Sequence, residues 1–225
     1  MDLSDIVLLV LGWLLGLLSP VIVDAIKHRR EAEHGRRAVV HELKDLALVL
    51  ALASFKSAQA SGQASRAYLE WLVARIDELA DKADYREFLE STRGMLAYSD
   101  EQIAAAYHVA ASSAQSMPML QNYSAPLLDS RIAALWTFDT EFQRKLFSIR
   151  RNLSLLDGNV AQIKDYFRMT FDEPSSGNRR IIEKNMIQLY GSYTERAKMI
   201  VDHVRELPGV WSNNSFKLKP LRGLA

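Results

Sequence analysis

Cysteine is absent from the 225-residue chain, so no disulfide framework and no thiolate metal site exists. Charge of one sign is lacking too: 28 basic residues against 27 acidic ones leave a formal net charge of +1. That excludes the global basic field on which nucleic-acid binders rely, and no nucleic-acid partner is expected. Runs alternating apolar and polar residues between turns are missing, which removes strands from the expected fold. A phosphate-binding glycine loop, a dinucleotide fingerprint and a Gly-x-Ser-x-Gly elbow are missing as well. The sole Glu-x-x-His, Glu31 with His34, has no second copy, because none of His28, His41, His108 and His203 follows a Glu by three residues. A di-iron bundle site needs two such pairs and two further glutamates. No catalytic residue, metal or cofactor is therefore expected from the motifs. An enzyme with a site assembled from scattered residues ranks third among the readings.

What the chain does have begins at once. Ile6 to Val23 reads IVLLVLGWLLGLLSPVIV, eighteen residues without a charge. At about 1.5 Å per residue such a helix covers roughly 27 Å, just enough to cross a hydrocarbon core about 30 Å thick. A buried helix of this length would show a polar face, and this one shows none. A secretory leader would open with positive charge and close on a small-x-small site. Here Asp2 and Asp5 open the run and no such site follows it. Residues 1–26 are accordingly expected to be a retained transmembrane anchor.

No Lys or Arg precedes the run, whereas Lys27, Arg29, Arg30, Arg36 and Arg37 crowd its far side. Such a cluster resists translocation, which places the N-terminus outside and the following domain in the cytoplasm, at the cell membrane, in a bacterial inner-membrane arrangement. The same cations suit anionic headgroups, so a lipid bilayer is the first expected partner. Gly12 and Gly16 form a GxxxG pair that lets two spans approach closely, making a homo-oligomer the second. An unidentified protein partner is the third. Pro20 removes a helical hydrogen bond and is a natural place for a kink.

Residues 27–60 are expected to be a basic juxtamembrane region running into the first bundle helix. Val39, Leu43, Leu46, Leu50 and Ala53 recur at steps of four and three, with Val40, Ala47, Val49 and Leu52 widening the seam towards a bundle core. Only Gly35 weakens continuity with the anchor. Residues 61–209 supply the remaining helices. Ser61-Gly62 is a stop; Tyr68, Trp71, Leu72, Ile76 and Leu79 mark a second helix; Ser99 with Gln102 resembles a capping box. A long seam is expected from Leu128 to Leu156, interrupted only by Asp139, with a bend at Asp157-Gly158 and continuation to Phe171. Asp139 is read either as pairing with a cation on a neighbouring helix, and so fixing register, or as an exposed residue with Phe138 or Trp136 inward. The last helix spans about 178–207, with Ile182, Met186, Leu189, Tyr193, Ala197, Ile200 and Val204 inward. Residues 210–225 form a tail with Lys217, Lys219 and Arg222 and no acid.

The expected architecture is thus all-α: a single N-terminal transmembrane helix followed by an antiparallel helical bundle. Two functions fit it. One is a membrane-anchored interaction or structural protein presenting the bundle at the cytoplasmic face. The other is a membrane effector or sensor in which oligomerisation or partner binding perturbs or signals through the membrane.

Overall fold

The computed structural model describes residues 3–80, 84–112, 118–130, 138–171 and 176–208, excluding the side chains of 3–12, 14, 15, 17–19, 21, 110, 112 and 176. Regular structure among these residues is helical: α1 (Leu3–Ser61), α2 (Arg66–Leu79), α3 (Arg86–Met95), α4 (Asp100–Ser112), α5 (Pro126–Ser130), α6 (Thr140–Met169) and α7 (Ser176–Arg205). The expected tail, 210–225, lies outside the described residues.

Helix α1 runs 59 residues with Pro20 inside it, so the apolar run and the first bundle helix are one rod of roughly 88 Å at about 1.5 Å per residue. Gly35 does not break it and is itself buried. The rod stops at Gly62, whose φ of 67° puts it in the left-handed region. The Gly62 amide donates to the Gln59 carbonyl and the Gln63 amide to the Ala58 carbonyl. This pair of bonds is a Schellman stop, and it explains why Gly follows the last helical residue. Ser65 then caps α2 by accepting from the Tyr68 amide. The box at the head of α4 forms in both directions, Ser99 amide to Gln102 Oε1 and Gln102 amide to Ser99 Oγ.

The long helices pack with α7 against both α1 and α6. Ser57, late in α1, donates to the carbonyl of Tyr190 in α7, whereas Lys145 near the start of α6 donates to the carbonyl of Glu206 at the end of α7. Arg36 of α1 meets Asp139 at the head of α6. Helices α1 and α6 therefore run one way and α7 the other. Helix α2 returns beside α1, bonding through Tyr68 to Ser54. Between them lies one core, with Val39, Leu43 and Leu50 of α1, Leu72 and Ile76 of α2, and Phe142, Leu146 and Ile149 of α6 all fully enclosed.

The α1 seam is buried at each of its five positions, from Val39 to Ala53. Of the residues expected to widen it, Ala47 is buried, Val40 and Leu52 are half-buried, and Val49 is 41% exposed. Elsewhere the pattern is revised. The long seam expected from Leu128 does not form one helix. Asp139 has extended backbone (φ −65°, ψ 152°), and its carboxylate accepts from the Phe142 amide, so α6 begins there. A short acceptor side chain that bonds its own backbone favours a cap over a helix interior. Asp157 and Gly158 lie inside α6. The inward face is fully buried as far as Ile163 and continues, half-buried, to Phe167, while Phe171 is 71% exposed. In α7, Tyr190 is buried and Leu189 only half-buried.

No helix, over its described residues, is long and apolar enough to cross a membrane. The anchor expected over 1–26 falls mainly on side chains outside that description.

Candidate functional site

Where α1 leaves the bundle, its surroundings change within one turn. Val39 and Gly35 are buried; every residue from Ile22 to Glu31 is exposed. The junction is held by Arg36. Its Nη1 donates to Asp139 Oδ2 at 3.1 Å, and its guanidinium lies 4.3 Å from the centre of the Phe142 ring. The other Asp139 oxygen, Oδ1, takes the Phe142 amide at 2.8 Å. One carboxylate thus caps α6 and ties it to α1.

The energetics of this contact are modest. A partly exposed pair gives about 0–1 kcal/mol and a cation over a ring roughly 0.5–2. Against these stands the buried Nε of Arg36, which has no hydrogen-bond partner among the described residues; such an orphan costs about 1–3 kcal/mol. The contact orients α6 against the emerging rod more than it stabilises the bundle.

Neighbouring charges at this end are engaged with each other. Arg37 donates to Glu33 one turn earlier. Lys145 sits 3.5 Å from Glu206 and 3.8 Å from Glu141. Asp202 accepts from Trp71 Nε1 and Arg75 Nε, both at 3.0 Å, while Glu78 takes Arg75 and Arg205.

The five basic residues singled out after the apolar run therefore divide. Lys27, Arg29 and Arg30 stand exposed on the outer rod, Arg37 is exposed with Glu33 of the same helix beside it, and Arg36 alone of the five is half-buried and turned to α6. Gly16 is exposed with nothing within 4 Å of where a Cβ would stand. Gly12 is part of α1, but its surroundings fall outside the described residues. Glu31 approaches His28 at 3.7 Å and His41 approaches Asp45 at 3.9 Å, all four exposed. Among the described residues no group of three His, Asp or Glu is placed to hold a metal ion.

A concavity lies between the 118–130 segment and α6, about 480 Å³ in volume, lined among others by Tyr123, Leu128, Phe147, Arg151 and Asp157. Arg150 at its rim is held by Asp129 at 2.9 Å, and Asn122 bridges Asp157 and Lys164. Its lining arginines and aspartates balance in charge. Tyr193 nearby is fully buried, with no partner for its hydroxyl among the described residues. Burial raises its pKa, as it does that of Tyr68, and pushes Tyr107 and Tyr190 up to about 12. Raised phenols stay protonated, so none serves as a base near neutrality.

Neither a protein family, nor a curated protein, nor a solved structure matches this chain. Its function must be argued from its own geometry.

Several structural contacts have no local signature. Both oxygens of Glu42 accept the Leu127 and Leu128 amides at 2.8 Å, capping α5 from another helix. The partners lie 85 and 86 positions apart, beyond any periodicity. Asp139 did carry a signal: an acidic residue three positions before Phe142 is also an N-cap pattern.

Proposed function

We propose that this protein is a membrane-anchored helical interaction or structural protein. A single span within residues 1–26 holds the bundle at the cytoplasmic face of the membrane, in contact with anionic lipid. The observation that carries this reading is the asymmetry of α1. Its inner half is covered by the bundle, while Trp13 (65%), Ile22 (54%), Val23 (58%) and Ile26 (49%) on its outer half are exposed. Apolar surface that no described residue covers calls for another apolar phase. The charge-free run from Ile6 to Val23 supports a bilayer as that phase, and the exposed Lys27, Arg29 and Arg30 support the orientation.

The absence of cysteine makes the test clean. Ser4→Cys and Ser192→Cys are introduced singly and probed in intact cells with a membrane-impermeant maleimide. Ser4→Cys is expected to react from outside, and Ser192→Cys only after permeabilisation. Labelling of Ser192→Cys in intact cells, or extraction of the chain by alkaline carbonate, sinks the proposal. Self-association through Gly12 and Gly16 is tested by crosslinking in membranes after both are changed to Leu; unchanged crosslinks remove that face.

A sensor or effector is the second reading, favoured by one observation. The rod enters the bundle without a break and is clasped there by Arg36 to the first turn of α6. A rigid connection of this kind transmits rotation or displacement of the span to the bundle. Dye entry after overexpression tests the effector form, and an intact membrane counts against it.

A further inference from the structure

We infer that the groove between the 118–130 segment and α6 is a binding site for a small organic acid, whose carboxylate is taken by Arg151 and whose apolar body lies along Phe147 and Leu128. The site lies wholly on the bundle, so it stands or falls separately from the anchored reading above.

The walls are the first observation. A volume of about 480 Å³ falls within the range of about 300–1,000 Å³ usual for small-molecule sites. Phe147, Arg151 and Ser154 form one wall, at steps of four and three along α6, and Tyr123 and Leu128 stand on the other. That second wall is pinned at both ends. Arg150 Nε donates to Asp129 Oδ1 at 2.9 Å, and Asn122 Nδ2 donates to Asp157 Oδ1 at 3.0 Å. Glu42 ties it to α1 as well, through the Leu127 and Leu128 amides. The groove is therefore preformed, which lowers the ordering cost of binding.

Charge selects the occupant. The formal charges of the lining balance, but their pairings do not. Asp129 is neutralised by Arg150, and Asp157 shares Asn122 with Lys164, whose Nζ donates to Asn122 Oδ1 at 3.1 Å. Arg151 is the charge left over. It is exposed and has no ion pair or hydrogen bond among the described residues. A guanidinium presents a planar fork of donors that fits a carboxylate with two parallel bonds. Beside it Phe147 is half-exposed, while Leu128 and Leu153 are buried. A free cation next to an open ring and an apolar floor fits an amphipathic anion better than a bare inorganic ion. Asp157 stands six positions further on, about 9 Å along α6, where it repels a second carboxylate; the ligand is a monoacid.

Unused polar groups are the third observation. Tyr193 of α7 is fully buried, and its hydroxyl has no hydrogen-bond partner among the described residues. It lies close enough to Tyr123 and Asp157 for their charges to act on it. The hydroxyls of Ser124 and Ser154, on the lining, also make no bond among the described residues. The fold itself does not use these groups, and their gathering around one concavity suits a bound molecule.

The test uses the full chain in phosphatidylcholine nanodiscs, titrated with para-trifluoromethyl phenylacetate and followed by fluorine NMR against empty nanodiscs. The acid is expected to broaden in the presence of the chain, and the matching neutral amide is not. Arg151→Gln should weaken binding about tenfold or more, with partial recovery in Arg151→Lys. Phe147→Ala should weaken it about fivefold. Arg144→Gln, which removes an exposed cation of α6 outside the lining, should change it less than about twofold. Arg151 and Phe147 are both exposed, so these variants keep the fold. In a chain without cysteine, Ser154→Cys gives a single thiol in the groove, and the acid should slow its alkylation by iodoacetamide. An unchanged alkylation rate at saturating acid places the ligand elsewhere and overturns the site. Equal losses in Arg144→Gln and Arg151→Gln would reduce binding to diffuse charge and also overturn it. Equal binding of acid and amide removes the role of Arg151, and displacement by an equal concentration of inorganic phosphate removes that of the apolar wall. If neither this acid nor octanoate binds above the blank, the inference fails outright, while the anchored reading is untouched.

Discussion

Two stretches of α1 invite comparison because their sequences look alike and their surroundings do not. Ile6–Val23 and Leu46–Phe55 are both runs of aliphatic residues with no charge inside them. The second carries buried small residues, Ala47, Ala51, Ala53 and Ser54, on the helix against which α2 and α7 close. Its polar side chain is satisfied within the bundle, Ser54 bonding the Ala51 carbonyl and the Tyr68 hydroxyl, and just beyond it Ser57 bonds the Tyr190 carbonyl. The first stretch belongs to the same helix but extends past the last buried position, Gly35. Apolar composition thus says that a helix needs cover. What supplies the cover is decided by which other helices reach it.

The sharpest way to break this contrast is alkaline pH. Tyr68, Tyr107, Tyr190 and Tyr193 line the inner region, and burial holds their pKa values above 10, at about 12 for Tyr107 and Tyr190. Unfolded tyrosines lose their protons near pH 10. The native state then binds more protons than the unfolded state, so stability is fully present below pH 10 and falls as pH climbs above it. The slope is about 1.4 kcal/mol per pH unit for each retained proton. In mild detergent, circular dichroism above pH 10 should show the bundle melting while a residue of helix from the outer rod remains. Loss of all helicity in one step would show that the two regions are not independent.

Truncations come next. Leu50→Ala empties a fully buried site and should lower unfolding free energy by about 2–5 kcal/mol in denaturant titration. Ile22→Ala, at a half-exposed site, should change it by no more than about 0.5 kcal/mol. Equal losses would mean that the outer rod is covered by protein after all.

The junction between the regions gives a smaller effect. Asp139→Ala removes both the cap of α6 and the partner of Arg36, and should destabilise by about 1–2 kcal/mol. Asp139→Asn retains the cap and should recover most of that loss; no recovery would make the ion pair the main term. Smallest is Gly62→Ala, which forces a side chain into the left-handed region with its Cβ 3.3 Å from that of Ala111. A loss of about 1 kcal/mol is expected, and a gain would show that the stop at Ser61 is not strained.

Much of the fold was legible because helix formation is local. The α1 seam, the Gly62 stop and the Ser99–Gln102 box each depend on residues within about five positions, the reach of helical and capping hydrogen bonds. Asp139 shows where such reasoning fails. Periodicity placed it inside a helix because Leu135 and Phe142 continue the seam on either side, yet its carboxylate caps the amide three residues on. The candidate site was half legible. The basic cluster stands out in sequence, but nothing there says that Arg36 turns to α6 while Lys27, Arg29, Arg30 and Arg37 stay exposed.

By itself, the sequence determined that the chain is helical, where α1 and α2 part, and that one stretch has no charge to offer water. All of these follow from backbone hydrogen bonding and from a repeat of about 3.6 residues. Only the tertiary structure decided that Arg36 meets a partner 103 positions away, that Glu42 caps a distant helix, and that the end of α7 lies beside the exit of α1. Contacts so far apart in the chain are selected by the packing of whole helices, and no local pattern encodes which helix faces which.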